Sequence, residues 1–393
     1  MALLTQIRTH NYRSLADVTV DVGALTVLFG PNGSGKSTFL DTVWFVRDCA
    51  VNGVDEASTR RDHGIGLLWD GADDGAPIGV SLTSARARYE LQVSLSNGRI
   101  DPLAGERLYA SPQDRPLIER DAGQRQARFT APGGVDEPET VRLREPNKLS
   151  LGRYLDRHSA GEVAELDQLL RATHWHHARS FRWWALKKRG SDSGPELSLD
   201  EDGRNLWSAL RNLEGRRKLG DDRYDTILRW MREAFPDFRE LVFDQTGNSS
   251  LYCSFLDARR RVPVAASGVS DGHLAMLLLL TALFAEGRTN SLLLLDEPEL
   301  SLHPWPLAVL ARAMQAAADE WGRQIMLATH SPVLLSQFAT RDILGATLVD
   351  GQTHLRRVSE MTELQDLLEQ YAVGSLYMAE AIAPQGPSQD PSS

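Results

Sequence analysis

Gly30-Pro31-Asn32-Gly33-Ser34-Gly35-Lys36-Ser37 spells a complete G-x-x-x-x-G-K-S loop. Its glycines let the backbone curl so that N–H groups face a phosphate, and the helix start behind them adds partial positive charge. The flanks agree. Thr26-Val27-Leu28-Phe29 reads as a buried strand, and Ser37-Thr38-Phe39-Leu40 opens a helix whose apolar positions continue through Val43 and Trp44. Strand, glycine turn and helix are the context that gives this loop its meaning. Residues 30–38 therefore form the expected nucleotide cradle, with Thr38 beside Ser37. Lys36 would reach the β- and γ-phosphates, and the Ser37 hydroxyl would take one magnesium position.

The loop needs carboxylates, and they stand at the other end of the chain. Leu292–Leu295 is an apolar run ending in Asp296 and Glu297. Asp296 is expected to order Mg²⁺ and its waters, while Glu297 polarises the attacking water as general base. A third segment, Gln324–Ala328, runs into Thr329-His330-Ser331-Pro332. Pro332 helps hold a bend at the strand end, where a neutral His330 can meet the γ-phosphate or the water. ATP hydrolysis with Mg²⁺ is the leading expectation, with Lys36, Glu297 and His330 as catalytic residues. The separation of the motifs implies a large insertion inside one catalytic fold.

Composition removes several alternatives. At 393 residues and 42% hydrophobic content, the chain can build a proper core. No stretch reaches the ~18 consecutive apolar residues of a membrane span, so direct membrane insertion is not expected. Cys49 and Cys253 are the only cysteines and lack metal-ligand spacing, which suits a reducing cytoplasm. A net charge of −10 argues against unspecific coating of nucleic acid but permits a local basic surface.

Along the chain, Leu4, Ile7, Val18 and Val20 suggest an opening antiparallel pair, and Tyr89–Leu95 alternates as a half-buried strand. Residues 101–146 are rich in Gly, Pro and charge and read as loops with short strands. Helical patterns fill 148–170 and 206–235, with no long heptad repeat. Strands are expected near Leu241–Phe243 and Leu251–Phe255, and helix and strand then alternate from Leu274 to Ala328. The expected organisation is an N-terminal head part (1–100), an inserted lid or interaction region (101–240), a C-terminal head part (241–380) and a disordered tail (381–393).

Ser270-Asp271-Gly272-His273 before a long apolar helix, Asp296-Glu297-Pro298-Glu299 after one strand and Thr329-His330-Ser331-Pro332 after another complete a pattern. With the phosphate loop, this order resembles the ABC-type ATPase heads of the RecF, SMC and OLD-like group. It is similar above all to compact bacterial AAA-family ATPases whose motifs read S-D-G, D-E-P-E-L-x-L-H-P and T-H-S-P. The match spans roughly residues 1–100 and 240–380. The resemblance implies an α/β P-loop NTPase fold, an ABC-type head with a mixed, largely helical insertion. It makes His330 the switch histidine. It also implies that Ser270 and Gly272 bind nucleotide across a homodimer, with two ATP molecules between two heads. Two departures stand out. No glutamine occurs from Thr38 until Gln92, so the family's glutamine loop is unassigned. Leu302-His303-Pro304 agrees with the RecF/OLD-like subgroup and argues against a transporter engine. Arg60–His63 are candidates for the lid, and Asn11 or Arg13 for a contact from the first hairpin.

From Arg171 through Arg232 the chain carries 14 Lys/Arg against 9 Asp/Glu. Arg179, Arg182, Lys187, Lys188 and Arg189, with Trp183 and Trp184, could contact phosphates and stack on bases; an amphipathic packing helix explains them as well. His174, His176 and His177 are expected to be structural or interfacial, because adjacent histidines do not easily face one ion. The resembled group couples ATP to DNA repair, DNA maintenance or defence against foreign DNA. With no nuclease constellation in this chain, cutting would belong to a separate nuclease or effector protein. A nucleotide-gated interaction switch with little turnover remains the alternative.

Overall fold

Segments far apart in sequence meet in one six-stranded sheet, ordered Thr173–His177, Ser291–Asp296, Arg323–Thr329, Leu25–Phe29, Ile343–Val349 and Gln352–Arg357. Neighbours run parallel except the last pair. The computed structural model describes residues 3–379 apart from 112–114, 134–136, 247–249, 289, 363–366 and 368–370; the tail expected from 381 lies outside the described residues.

Parallel strands covered on both faces read as continuous apolar runs, and their period-2 alternation divides the side chains between two cores. Val27, Leu293, Leu295, Ile325 and Leu327 face one core, shared with the helices Leu206–Arg216, Arg223–Ala234, Asp271–Phe284 and Pro304–Trp321. Leu28, Leu292, Leu294, Met326 and Ala328 face the other, shared with the phosphate-loop helix Lys36–Asn52 and an eight-stranded antiparallel sheet. The Leu-rich stretch 274–284, too evenly apolar to show a helical face, is buried almost throughout.

The antiparallel sheet begins with the expected hairpin, Leu4–Tyr12 on Leu15–Asp21, followed by Ile78–Ser84 and Ala87–Val93. It then continues through Gly105–Ala110, Pro116–Arg120, Gln126–Phe129 and Glu139–Arg142. Residues 101–240, expected as one inserted region, are thus divided: 105–142 extend this sheet, and Thr173–His177 enters the catalytic sheet as an edge strand. The edge position explains why that strand carries His and Trp rather than an apolar run. The expected helical character is found in Ser150–Leu155, Gly161–Arg171, Trp183–Lys188, Leu206–Arg216 and Arg223–Ala234.

One buried ion pair ties these parts together. The side chains of Glu106 and Arg120 are fully buried 3.1 Å apart. Glu106 also accepts hydrogen bonds from Tyr89 Oη, Ser150 N and Ser150 Oγ, anchoring the helix Ser150–Leu155 to the sheet. Removing one partner leaves an uncompensated buried charge. Arg120→Met should therefore cost about 3–5 kcal/mol, read as a lower urea midpoint; an unchanged midpoint would show that the pair does not hold the sheet.

Candidate nucleotide site

Register places the site. His177 pairs with Asp296, Asp296 with Ala328, and Ala328 with Leu28, so four strands end at one level. Immediately beyond those ends come the phosphate loop, Glu297 and His330. The phosphate loop, the Asp296-Glu297 pair and His330 are each delivered to this edge by their own strand.

The loop is held closely on its outer side. Gly30 has φ +149, and a Cβ there would lie 2.2 Å from the Ala346 carbonyl oxygen. Gly35 has φ +94, and its Cβ would lie 2.0 Å from Thr353 Oγ1. Lys36, buried, folds back to donate from Nζ to the carbonyls of Gly30 (2.9 Å) and Pro31 (2.8 Å). Burial lowers its pKa to about 8, against the pull of Asp296, Glu297 and Glu299.

Ser37 Oγ donates to Asp296 Oδ1 at 3.0 Å, joining the two motifs directly. Asp296 is 1% exposed, and burial raises its pKa even though Ser37 and His177 oppose the shift. Its other oxygen, Oδ2, has no hydrogen-bond partner and lies 3.7 Å from His177 Nε2. Ser34 Oγ in the loop is also buried without a partner. Unbonded buried polar atoms cost ~1–3 kcal/mol each, and a phosphate and a divalent cation would offset that cost. The donor set fits a magnesium nucleotide: loop N–H groups and Lys36 could hold phosphates, and Ser37 and Asp296 the ion.

Glu297 sits at φ +51, a left-handed conformation rare for a non-glycine residue and of the kind that clusters at functional sites. Its Oε1 lies 3.8 Å from His330 Nε2, and its Oε2 lies 2.8 Å from Arg179 Nη2, an ion contact without the alignment of a hydrogen bond. His330 is held below its usual pKa, first by burial and then by Lys36, with Arg179 adding to the effect, which favours the neutral ring. Glu299 accepts the His330 backbone N–H at 2.7 Å, so it fixes the histidine's loop. Pro332 opens a short helix, Pro332–Leu335, capped by Ser331.

A cavity of about 550 Å³ adjoins the loop, lined among others by Ser37, Thr38, Asp296, His177, Arg13 and Trp175. Arg13 thus borders the site, whereas Asn11 donates from Nδ2 to the Pro77 carbonyl. Arg60 and Arg61 line the same cavity, and Arg61 is buried against Asp41 (2.7 Å) and Asp48 (3.0 Å) on the phosphate-loop helix. Gln92 lies on an antiparallel strand lining a different groove with Gln6 and His10.

Ser270 and Gly272 do not line this cavity. They occupy the exposed start of the helix Asp271–Phe284, where Ser270 Oγ bonds His273 Nδ1 at 2.8 Å. A Cβ on Gly272 would lie 2.7 Å from the Ser301 carbonyl oxygen, and the His273 ring stacks on Phe235 at 3.7 Å.

The basic strip is largely matched within the chain. Arg179 meets Glu297, Arg182 meets Asp202 at 2.8 Å, and Lys187 meets Asp271 at 2.6 Å. Trp183 is half-buried, whereas Trp184 is 61% exposed with Arg189 over its ring. His176 is buried and its pKa falls to about 4 through desolvation, while His174 contacts Glu286. Those two histidines pack within the chain, whereas His177 lines the site. Among the described residues no cluster has the make-up of a separate metal site, and no helix is long and apolar enough to cross a membrane.

A family model described as "AAA domain, putative AbiEii toxin, Type IV TA system" matches residues 25–336, from the phosphate-loop strand to beyond His330. The chain belongs to this AAA-domain family. Its fold is that of a compact AAA/ABC-type ATPase head. The AAA-domain protein is 38% identical over 69 residues to Protein ea59 of Escherichia phage lambda, a match covering 18% of this chain and only 13% of that protein. Among solved structures, an SMC head bound to the C-winged helix domain of ScpA matches its fold with a TM-score of 0.51 at 15% identity. That match covers 90% of the AAA-domain protein and 96% of the SMC chain.

The tight outer wall of the loop can be tested directly. Gly35→Ala must carry a Cβ at positive φ into Thr353. It should destabilise the ligand-free protein by about 1–3 kcal/mol, seen as a lower denaturation midpoint; an unaltered midpoint would mean that the loop tolerates a side chain there.

Proposed function

We propose that this AAA-domain protein binds ATP with Mg²⁺ and hydrolyses it to ADP and phosphate. The observation that carries the reading is the Ser37 Oγ–Asp296 Oδ1 bond at 3.0 Å, which brings the phosphate loop and the paired acids into one site. Lys36 exchanges its two carbonyl acceptors for phosphate oxygens. Ser37 and Asp296 hold the magnesium ion, which when bound supplies positive charge that offsets charge on the transferring phosphoryl group. Glu297 accepts the proton of the attacking water, and His330, 3.8 Å from the carboxylate's other oxygen, meets the γ-phosphate or that water.

Dimerisation belongs to the same proposal. Ser270 is exposed and Gly272 half-buried, and neither lines its own chain's cavity, as expected of residues that complete a partner's site. The same proposal has the enzyme act in the cytoplasm, with turnover coupled to DNA repair, DNA maintenance or defence through a separate nuclease or effector. Support for that role comes from the family and from the exposed Trp184–Arg189 pair. The Arg179–Glu297 contact favours a second reading, a nucleotide-gated switch that recruits an effector with little turnover, because a guanidinium occupies an oxygen of the general base.

Lys36→Ala should abolish ATP binding. Glu297→Gln should retain ATP while phosphate release falls by roughly 10²–10⁴-fold. Equal turnover in both variants would contradict this division of labour, and wild-type ATP binding without turnover would select the switch. Ser270→Arg should suppress ATP-stabilised dimerisation in light scattering while the monomer stays folded. A wild-type protein that hydrolyses ATP as a persistent monomer would exclude the shared site.

A further inference from the structure

The approach of Arg179 to Glu297 follows from strand register rather than from its place in a basic run. Thr173–His177 is the edge neighbour of Ser291–Asp296, with His177 level with Asp296. The turn Ala178–Ser180 therefore leaves the sheet where Glu297 leaves it. His177 Nδ1 accepts the Arg179 backbone N–H at 3.0 Å, which pins the turn. The guanidinium that results lies 2.8 Å from Glu297 Oε2. Lys36 Nζ and the His330 ring border the same carboxylate cluster.

Two features mark this contact as exchangeable. The Arg179 side chain is 68% exposed, so the ion pair is not needed to bury it, and exposed pairs contribute little to stability. Glu297 offers one carboxylate, whereas a terminal phosphate offers several oxygens in the geometry that a guanidinium fork matches best.

We infer that Arg179 is a further phosphate-binding residue, supplied in cis, that exchanges Glu297 for the terminal phosphate of a nucleoside triphosphate. The inference rests on the ATP reading above. In the ligand-free protein Arg179 occupies the base. When a triphosphate arrives, the guanidinium moves to it, and the freed carboxylate can accept the proton of water. A diphosphate lacks the group that draws Arg179 away, so Glu297 stays occupied after product formation. One arginine thereby distinguishes substrate from product and ties the availability of the base to the presence of substrate.

Equilibrium binding of fluorescent ATP and ADP analogues, with Mg²⁺, tests this without relying on turnover. Arg179→Ala should weaken ATP binding about tenfold and leave ADP binding within about twofold; Arg179→Lys should recover part of the loss. Glu297→Gln should bind ATP more tightly than wild type, because it releases the guanidinium, and adding Arg179→Ala should erase that gain. Arg179→Gln, neutral and similar in length, serves if the alanine variant is poorly folded. Equal weakening for both nucleotides, or none for either, overturns the role of Arg179 while leaving the ATP reading intact. A wild-type protein that binds neither nucleotide overturns both.

Discussion

Everything at this site depends on one alignment across the parallel sheet. Because His177, Asp296, Ala328 and Leu28 stand level, the chain leaves the strands at a single edge. A shift of one residue in any strand would exchange its two faces and move its functional residue out of reach. Register is enforced by burial: alternate side chains of three strands enter different cores, so slippage would expose apolar surface on one side and bury none on the other. The hydrophobic pattern that forms the sheet is thus also what positions Lys36, Asp296, Glu297 and His330.

Electrostatics then sets the chemistry within that frame. Lys36, Asp296 and Glu299 are drawn out of water together. Burial lowers the pKa of the lysine and raises those of the two acids; the nearby carboxylates oppose the lysine's shift, and hydrogen bonds, from Ser37 to Asp296 and from the His330 backbone to Glu299, oppose those of the acids. Lys36 on two carbonyls, Asp296 Oδ2 and Ser34 Oγ without partners, and Arg179 on Glu297 describe a site whose internal contacts are substitutes. A polyanion with a divalent cation can satisfy these groups at once, whereas the protein alone satisfies them piecemeal.

Much of this was legible because its signals are local. The loop, its strand and its helix are contiguous, and Leu292–Leu295 and Gln324–Ala328 announce buried strands whose ends carry their chemistry. The opening hairpin and the helices near 150–170 and 206–235 were equally visible from periodicity. Thr173–His177 was not. As an edge strand it has no apolar run, and its partner lies more than a hundred residues away, so His174-Trp175-His176-His177 reads only as a structural or interfacial cluster and not as a strand. The same distance hid Arg179, which read as one cation in a strip and stands instead on Glu297. The short strands of 105–142 have too few residues to establish a period. For Ser270 and Gly272 the sequence named the residues, and the fold leaves the first exposed and the second half-buried, neither lining the cavity of their own chain.

The central claim is that one magnesium-nucleotide site per chain is assembled from these aligned strand ends. Calorimetric titration of ATP into the wild-type protein and into Asp296→Asn, each with Mg²⁺ and with EDTA, tests it most directly. The account predicts one site per chain in the wild type, with affinity that falls when Mg²⁺ is removed, and loss of that magnesium dependence in Asp296→Asn. Wild-type binding that is indifferent to Mg²⁺, or an Asp296→Asn variant that keeps the full magnesium effect, would contradict it.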